Sequence, residues 1–196
     1  MRRKLKWIIP LTLVMAIAAI YLRPTPSEPF DEVYANVDAE TVASLQSFRE
    51  AHPVQQLDVE GVTWDYVAMG QGEETILFLH GMTGAYDIWW NQLNAFENDY
   101  RLISVTYPAV ETFDEMSAGV LAILEKEGVD KFNVVGSSLG GYFAQYLLAT
   151  YPERIERAVL ANTFPPNDLI VEKNKSIGAA LPYLPEWLIM DVLKGS

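Results

Sequence analysis

The decapeptide Phe132-Asn133-Val134-Val135-Gly136-Ser137-Ser138-Leu139-Gly140-Gly141 constrains this chain more than any other segment. An apolar, strand-like run enters it. The stretch that leaves it, as far as Tyr151, sets Phe143, Leu147 and Tyr151 along one side of a helix. Gly136-Ser137-Ser138-Leu139-Gly140 reads G-x-S-x-G. A serine at so tight a strand-to-helix turn takes up strained backbone geometry, and the flanking glycines remove side chains that would strike the adjoining strand and helix. The same letters also fit a Gly/Ser helix cap or a phosphate-binding turn. The apolar strand before them and the helix after them favour a nucleophile turn. It would raise Ser138 above the carboxyl end of a sheet and leave the amide of Leu139 at a helix N-terminus, where negative charge is stabilised.

The rest of the chain supplies that sheet. Residues 54 to 61 and 62 to 70 read as two strands joined in a hairpin through Glu60 and Gly61, and 75 to 81 as a short strand buried on both faces. Tyr86 to Phe96 then reads as a helix, and 101 to 107 as a strand stopped by Pro108. Thr112 and Glu115 form a capping box opening a helix whose face is Phe113, Met116, Val120 and Leu124, ended by Gly128. Strands at 131 to 138 and 154 to 164 follow, on either side of the helix after Ser138. Alternation of this kind predicts an α/β fold with a mostly parallel, doubly wound sheet. Asp38 caps a helix over roughly 39 to 50, while residues 165 to 176 read as irregular and Pro185 to Gly195 as a short amphipathic helix.

Charge separates the N-terminus from the body. Residues 1 to 23 carry Arg2, Arg3, Lys4, Lys6 and Arg23 and no acid, whereas 24 to 196 carry 9 bases against 26 acids, a net −17. Such a body repels phosphate backbones, so nucleic acid is not an expected partner. The uncharged run from Trp7 to Leu22 behind the basic head predicts a membrane anchor or a cleaved signal over 1 to 23, with a core helix as the plainer reading. Residues 24 to 37 read as a Pro-rich stalk, and the body from 38 onward is expected outside the cytoplasm, anchored or released. With no cysteine there is no disulfide framework, thiolate nucleophile or cysteine-bound metal, and no spacing of ligands or glycines points to a metal or another cofactor.

Only two histidines occur, His52 and His80. His80-Gly81-Met82-Thr83-Gly84 follows the strand at 75 to 79, and an oxyanion hole built in the usual way would draw one amide from this loop, Met82, and one from the residue after the nucleophile, Leu139. The glycine turn directs the His80 imidazole beneath those amides as a structural group rather than a base, and His52 reads as an exposed residue. Met82, Tyr86, Trp89, Trp90, Tyr107, Phe164, Leu184 and Trp187 are apolar or aromatic residues for the mouth of such a site, suited to a hydrophobic or acyl substrate, although core packing explains most aromatic residues in such segments.

HGMTG, GSSLGG and the order of elements resemble the α/β-hydrolase fold superfamily over roughly residues 54 to 196. More narrowly, VTYP at 105 to 108, GSSLGGYFAQYLL at 136 to 148, LANTF at 160 to 164 and LPEWLIMDVLKG at 184 to 195 resemble the maspardin-like branch. The resemblance implies Ser138 as nucleophile, Met82 and Leu139 as oxyanion amides, strands three to six of an eight-stranded order at the positions above, and a helical cap beginning within 165 to 196. It also implies an acid and then a histidine after the serine. No histidine follows Ser138; Asn162 cannot serve as the acid, and Asp168 is poorly placed for it. The expectation is therefore a piece lacking the last two strands and two members of its triad, from a serine hydrolase acting on an ester or related acyl bond. The rival expectation is a non-catalytic module on the same fold that binds a protein partner.

Overall fold

The computed structural model describes residues 2–25, 28–167 and 169–194. These form two compact units, one made of the two ends of the chain (1–36 and 167–196) and one running continuously from 37 to 166.

In the first unit, helices α1 (Arg2–Tyr21) and α2 (Phe30–Val33) precede the body. The expected membrane segment is not met: among the described residues no helix is long and apolar enough to cross a membrane. The uncharged run behind the basic head would extend only about 24 Å as a helix, against a hydrocarbon core of roughly 30 Å. At the far end of α1, the Trp187 indole donates to the Ile20 carbonyl at 2.8 Å and the Tyr21 hydroxyl to the Tyr183 carbonyl at 2.6 Å. The Arg23 guanidinium lies 4.6 Å from the Trp187 ring centre. The membrane as a partner, the signal-anchor reading and the placement of the body outside the cytoplasm all rested on that segment and are withdrawn with it.

The second unit is a sheet flanked by helices. Helix α3 (Ala39–Ala51) begins where the Asp38 carboxylate accepts the Thr41 N–H at 2.8 Å, an arrangement that holds the Asp38 carboxyl below its usual range. Strands β1 (Gln55–Val59) and β2 (Val62–Met69) pair through a two-residue turn at Glu60 and Gly61, both with positive φ, 55° and 84°. Strand β3 (Thr75–Leu79) follows, then a 3₁₀ turn (Tyr86–Trp89) continuing into α4 (Trp90–Phe96), where the sequence predicts one unbroken helix. Thr106 Oγ1 accepts the Tyr86 N–H at 3.0 Å and Ser104 Oγ donates to the Tyr86 carbonyl at 2.8 Å, so the start of this turn is tied to the strand that follows α4.

Strand β4 (Arg101–Thr106), helix α5 (Phe113–Lys126) with its Thr112/Glu115 capping box, β5 (Phe132–Ser137), α6 (Leu139–Thr150) and β6 (Ile155–Ala161) complete the unit. In the first unit, residues 169 to 180 form helix α7 (Leu169–Ala180), where the sequence predicts irregular chain up to 176, and α8 (Glu186–Lys194) lies where the amphipathic helix is expected.

The six strands lie in the order β1-β2-β4-β3-β5-β6. β1, β2 and β4 pair antiparallel in succession, and β4, β3, β5 and β6 are parallel, so the sheet is mixed and mostly parallel, as predicted. Alternate residues serve opposite faces. Leu77, Leu79, Ile103 and Val105 join Val120, Leu124, Phe143 and Leu147 of α5 and α6, while Phe78 and Leu102 join Phe48 and Leu93 of α3 and α4. Strands β3 and β5 are neighbours, yet the helix after β3 covers one face and the helix after β5 the other. That divergence opens a crevice beyond their carboxyl ends, the usual ligand site of an open α/β sheet.

Candidate active site

Leu79 pairs with Gly136, so the loop after β3 and the turn after β5 leave the sheet side by side at the crevice. Ser138 occupies the turn with φ 54° and ψ −117°, a conformation that costs an L-residue on the order of 1–3 kcal/mol. Its surroundings hold it there. The Ser138 N–H donates to the Ala161 carbonyl at 3.0 Å, and its carbonyl accepts the Tyr142 N–H at 3.0 Å in the first turn of α6. Two glycines permit the close approach: a Cβ on Gly136 would sit 2.3 Å from the Gly140 carbonyl oxygen, and one on Gly140 would sit 2.2 Å from that of Leu79. Ser138 itself is exposed.

The His80 loop is held by a set of bonds on its imidazole. The Nδ1–H donates to the Gly81 carbonyl at 2.5 Å, and Nε2 accepts the Tyr107 N–H at 3.3 Å. The Tyr107 hydroxyl donates to the His80 carbonyl at 3.3 Å, and the two rings lie 4.0 Å apart. Only a neutral imidazole with its proton on Nδ1 can make both ring bonds. Burial agrees, holding the His80 pKa below its ordinary value, while the phenol of Tyr107 is pushed far up by burial.

These bonds orient a peptide unit. The Gly81 carbonyl also accepts the Gly84 N–H at 3.1 Å, so its oxygen faces into the loop. No peptide bond among the described residues is cis. In a trans unit the C=O and the following N–H point in opposite directions, so the Met82 N–H is directed away from His80. Leu139 is the first residue of α6, where an N–H has no acceptor within the helix.

The crevice is a pocket of about 460 Å³, formed by residues 80–84, by Ile88, Trp89 and Gln92 beyond them, and by Ser137 and Ser138. A Cβ on Gly81 would lie 3.8 Å from Ser138 Oγ, which measures how closely the loop approaches the serine. Of the residues expected at the mouth, Met82 and Trp89 line this pocket. Tyr86 and Trp90 pack against the core beneath α4, and Tyr107 stands behind His80. Phe164 packs on Tyr142 at 5.2 Å, and Leu184 and Trp187 belong to the other unit.

His52 is not exposed as expected. It ends α3 half-buried, its ring 5.0 Å from Phe48 and its Nε2 3.9 Å from a Glu97 oxygen. Asn162 follows β6 with a left-handed φ of 48°, and Asp168 lies outside the described residues. Among the described residues no group of three or more His, Asp or Glu could hold a metal ion. Sequence reasoning did not single out Gln92, the Tyr107 clamp, or the ion pair of Arg49 Nη2 with Asp87 at 2.6 Å that ties α3 to the 3₁₀ turn. Each joins residues distant in sequence and carries no local pattern.

Three comparisons accord with this geometry. The 2-hydroxy-6-oxononadienedioate/2-hydroxy-6-oxononatrienedioate hydrolase of Paraburkholderia phymatum is 33% identical over 109 residues, 48% of this chain and 38% of that protein. Maspardin of Danio rerio is 26% identical over 157 residues, 76% of this chain and 50% of that protein. A crystal structure of a hydrolase from Pseudomonas aeruginosa superposes with a TM-score of 0.58 and 26% identity, covering 66% of this chain and 53% of that one. The chain thus spans between about a third and a half of the length of its curated relatives. The sequence pattern of the alpha/beta hydrolase fold matches residues 74–188, a stretch that carries both the His80 loop and the Ser138 turn. Because that stretch is more than half of the 196 residues, the chain belongs to the α/β-hydrolase fold family.

Proposed function

We propose that the complete protein is a serine hydrolase that cleaves a carboxylic ester or a related acyl bond through an acyl-enzyme on Ser138. The observation that carries the reading is the exposure of Ser138, at a positive-φ turn, beside a pocket lined also by residues 80–84. The Ser138 oxygen adds to the substrate carbonyl carbon as its proton passes to a base. The carbonyl oxygen takes the negative charge and is held by the N–H groups of Met82 and Leu139. Collapse expels the alcohol and leaves an acyl-serine, which water then cleaves.

His80 is not that base in this reading, because both of its ring nitrogens are engaged. The superfamily order of serine, acid and histidine implies a histidine after Ser138, which these 196 residues do not supply. The relative hydrolase named above supports catalysis in general but does not select among esters, thioesters, lactones and carbon-carbon bonds. A second reading, a non-catalytic hydrolase-fold module that binds a protein, draws on the broad match to maspardin across 76% of the chain.

The native full-length protein and its Ser138→Ala form should be compared on p-nitrophenyl butyrate. Loss of at least about 1,000-fold in kcat/KM on substitution is expected. Equal rates, or no turnover by either form, would favour the interaction module.

A further inference from the structure

We propose that the pocket beside Ser138 selects an uncharged acyl group and rejects one that ends in a carboxylate. The inference rests on the hydrolase reading above and deepens it. The pocket's apolar wall is Met82, Ile88 and Trp89, and its polar side chains besides the serines are Thr83, Gln92 and the neutral His80. Among the described residues that line it there is no Lys, Arg, Asp or Glu.

The charged residue nearest in sequence to this wall is Asp87, immediately before Ile88. Its carboxylate is engaged by Arg49, whose Nη2 lies at 2.6 Å and Nε at 2.7 Å. That guanidinium is committed to Asp87 and does not line the pocket. A substrate carboxylate lying against this wall would give up part of its water to an indole, a thioether and a branched alkyl side chain, with no cation among the described lining residues to meet it, a net cost for the charged group. The net −17 carried by residues 24 to 196 acts in the same direction at longer range, lowering the local concentration of anions. A volume of about 460 Å³ lies within the range of small-molecule sites, so size admits both kinds of acyl group and charge discriminates between them.

The test uses two fluorophosphonates on the native full-length protein at pH 7.5, one with a pentyl arm and one whose arm of equal length ends in a carboxylate. In each case the Ser138 oxygen bonds to phosphorus, the P–F bond breaks, fluoride leaves and the serine proton passes to the base. Second-order labelling rates are read by intact mass, with Ser138→Ala as the control for position. The pentyl probe is expected to react at least about 100-fold faster. Gln92→Arg and, separately, Ile88→Arg each place a cation on the wall at an exposed position, and either should narrow that ratio by about 10-fold.

Equal rates for the two probes, or a ratio unmoved by both arginine variants when each labels with the pentyl probe, would overturn the selectivity while leaving the hydrolase reading in place. Failure of both probes to label Ser138 would overturn the hydrolase reading, and the selectivity with it.

Discussion

His80 donates to the Gly81 carbonyl, and Tyr107 holds His80 through its backbone N–H on Nε2 and its hydroxyl on the His80 carbonyl. Tyr107→Phe removes one hydroxyl bond and keeps the ring contact, so it should cost about 1 kcal/mol in a urea unfolding curve. Tyr107→Ala also removes the ring and should cost about 3 kcal/mol. If the clamp positions the oxyanion amide, Tyr107→Phe should lower kcat for an ester while leaving KM within about 2-fold. Acid acts on the same clamp. Burial lowers the folded pKa of His80, so the unfolded chain takes up this proton first as pH falls. The contribution of His80 to stability is thus fully present above its ordinary value of about 6.5 and is lost as pH falls from there through the folded value. The urea midpoint should fall between pH 7.5 and 5.5 more steeply for the parent than for His80→Gln, whose amide can donate to one partner and accept from the other. Parallel pH curves would show that His80 is not the titrating group.

At the scale of elements, the strands that hold the site are the ones their residues announce most clearly. β3 and β5 are short apolar runs ended by glycine or serine, and α5 carries its capping box in plain letters; Thr112→Ala should cost about 1 kcal/mol, measured by thermal unfolding. Other elements depend on bonds or context that no local pattern records. The first turn after the His80 loop is 3₁₀, and Thr106 and Ser104 of β4 bond both backbone groups of Tyr86 at its start. Residues 169 to 176 carry helix-compatible Leu, Glu and Lys, but the two prolines before them draw attention to chain breaking rather than to a helix start. In α1 the basic head and the apolar run suggested a membrane, but among the described residues no helix is long and apolar enough to cross one. The Ser138 turn was legible because its serine and glycines fall in one contiguous run between a strand and a helix, whereas the wall at Ile88 and Gln92 came into view only once the loop was folded.

β6 invites its own test. It closes one side of the described sheet, and Val159 on it is 56% exposed, whereas β5 is paired on both sides. Amides of 155 to 161 should exchange with solvent faster than those of 132 to 137 in a deuterium-uptake experiment on the 196-residue chain. Equal protection would indicate that something covers the outer edge of β6.

For the whole molecule, the hydrolase reading separates the serine and its oxyanion loop from the base that activates it. The 196 residues by themselves should therefore give no Ser138-dependent burst with p-nitrophenyl acetate in stopped flow, because an unassisted serine is a weak nucleophile near neutral pH. A burst abolished by Ser138→Ala would show that a base is already at hand. The strand order has a further consequence, which concerns the order in which the ribosome delivers the strands. β4 lies between β2 and β3 in the sheet, yet it is synthesised after both. From Leu79 until Arg101 emerges, the growing chain carries the apolar TILFL run with neither of its eventual neighbours, since β4 and β5 are still to come. At about 5–20 residues per second that interval lasts a few seconds, long enough for the run to be a holding site for a chaperone on the nascent chain. Insertion of β4 is then the event that both joins the early hairpin to the rest of the sheet and takes that site away.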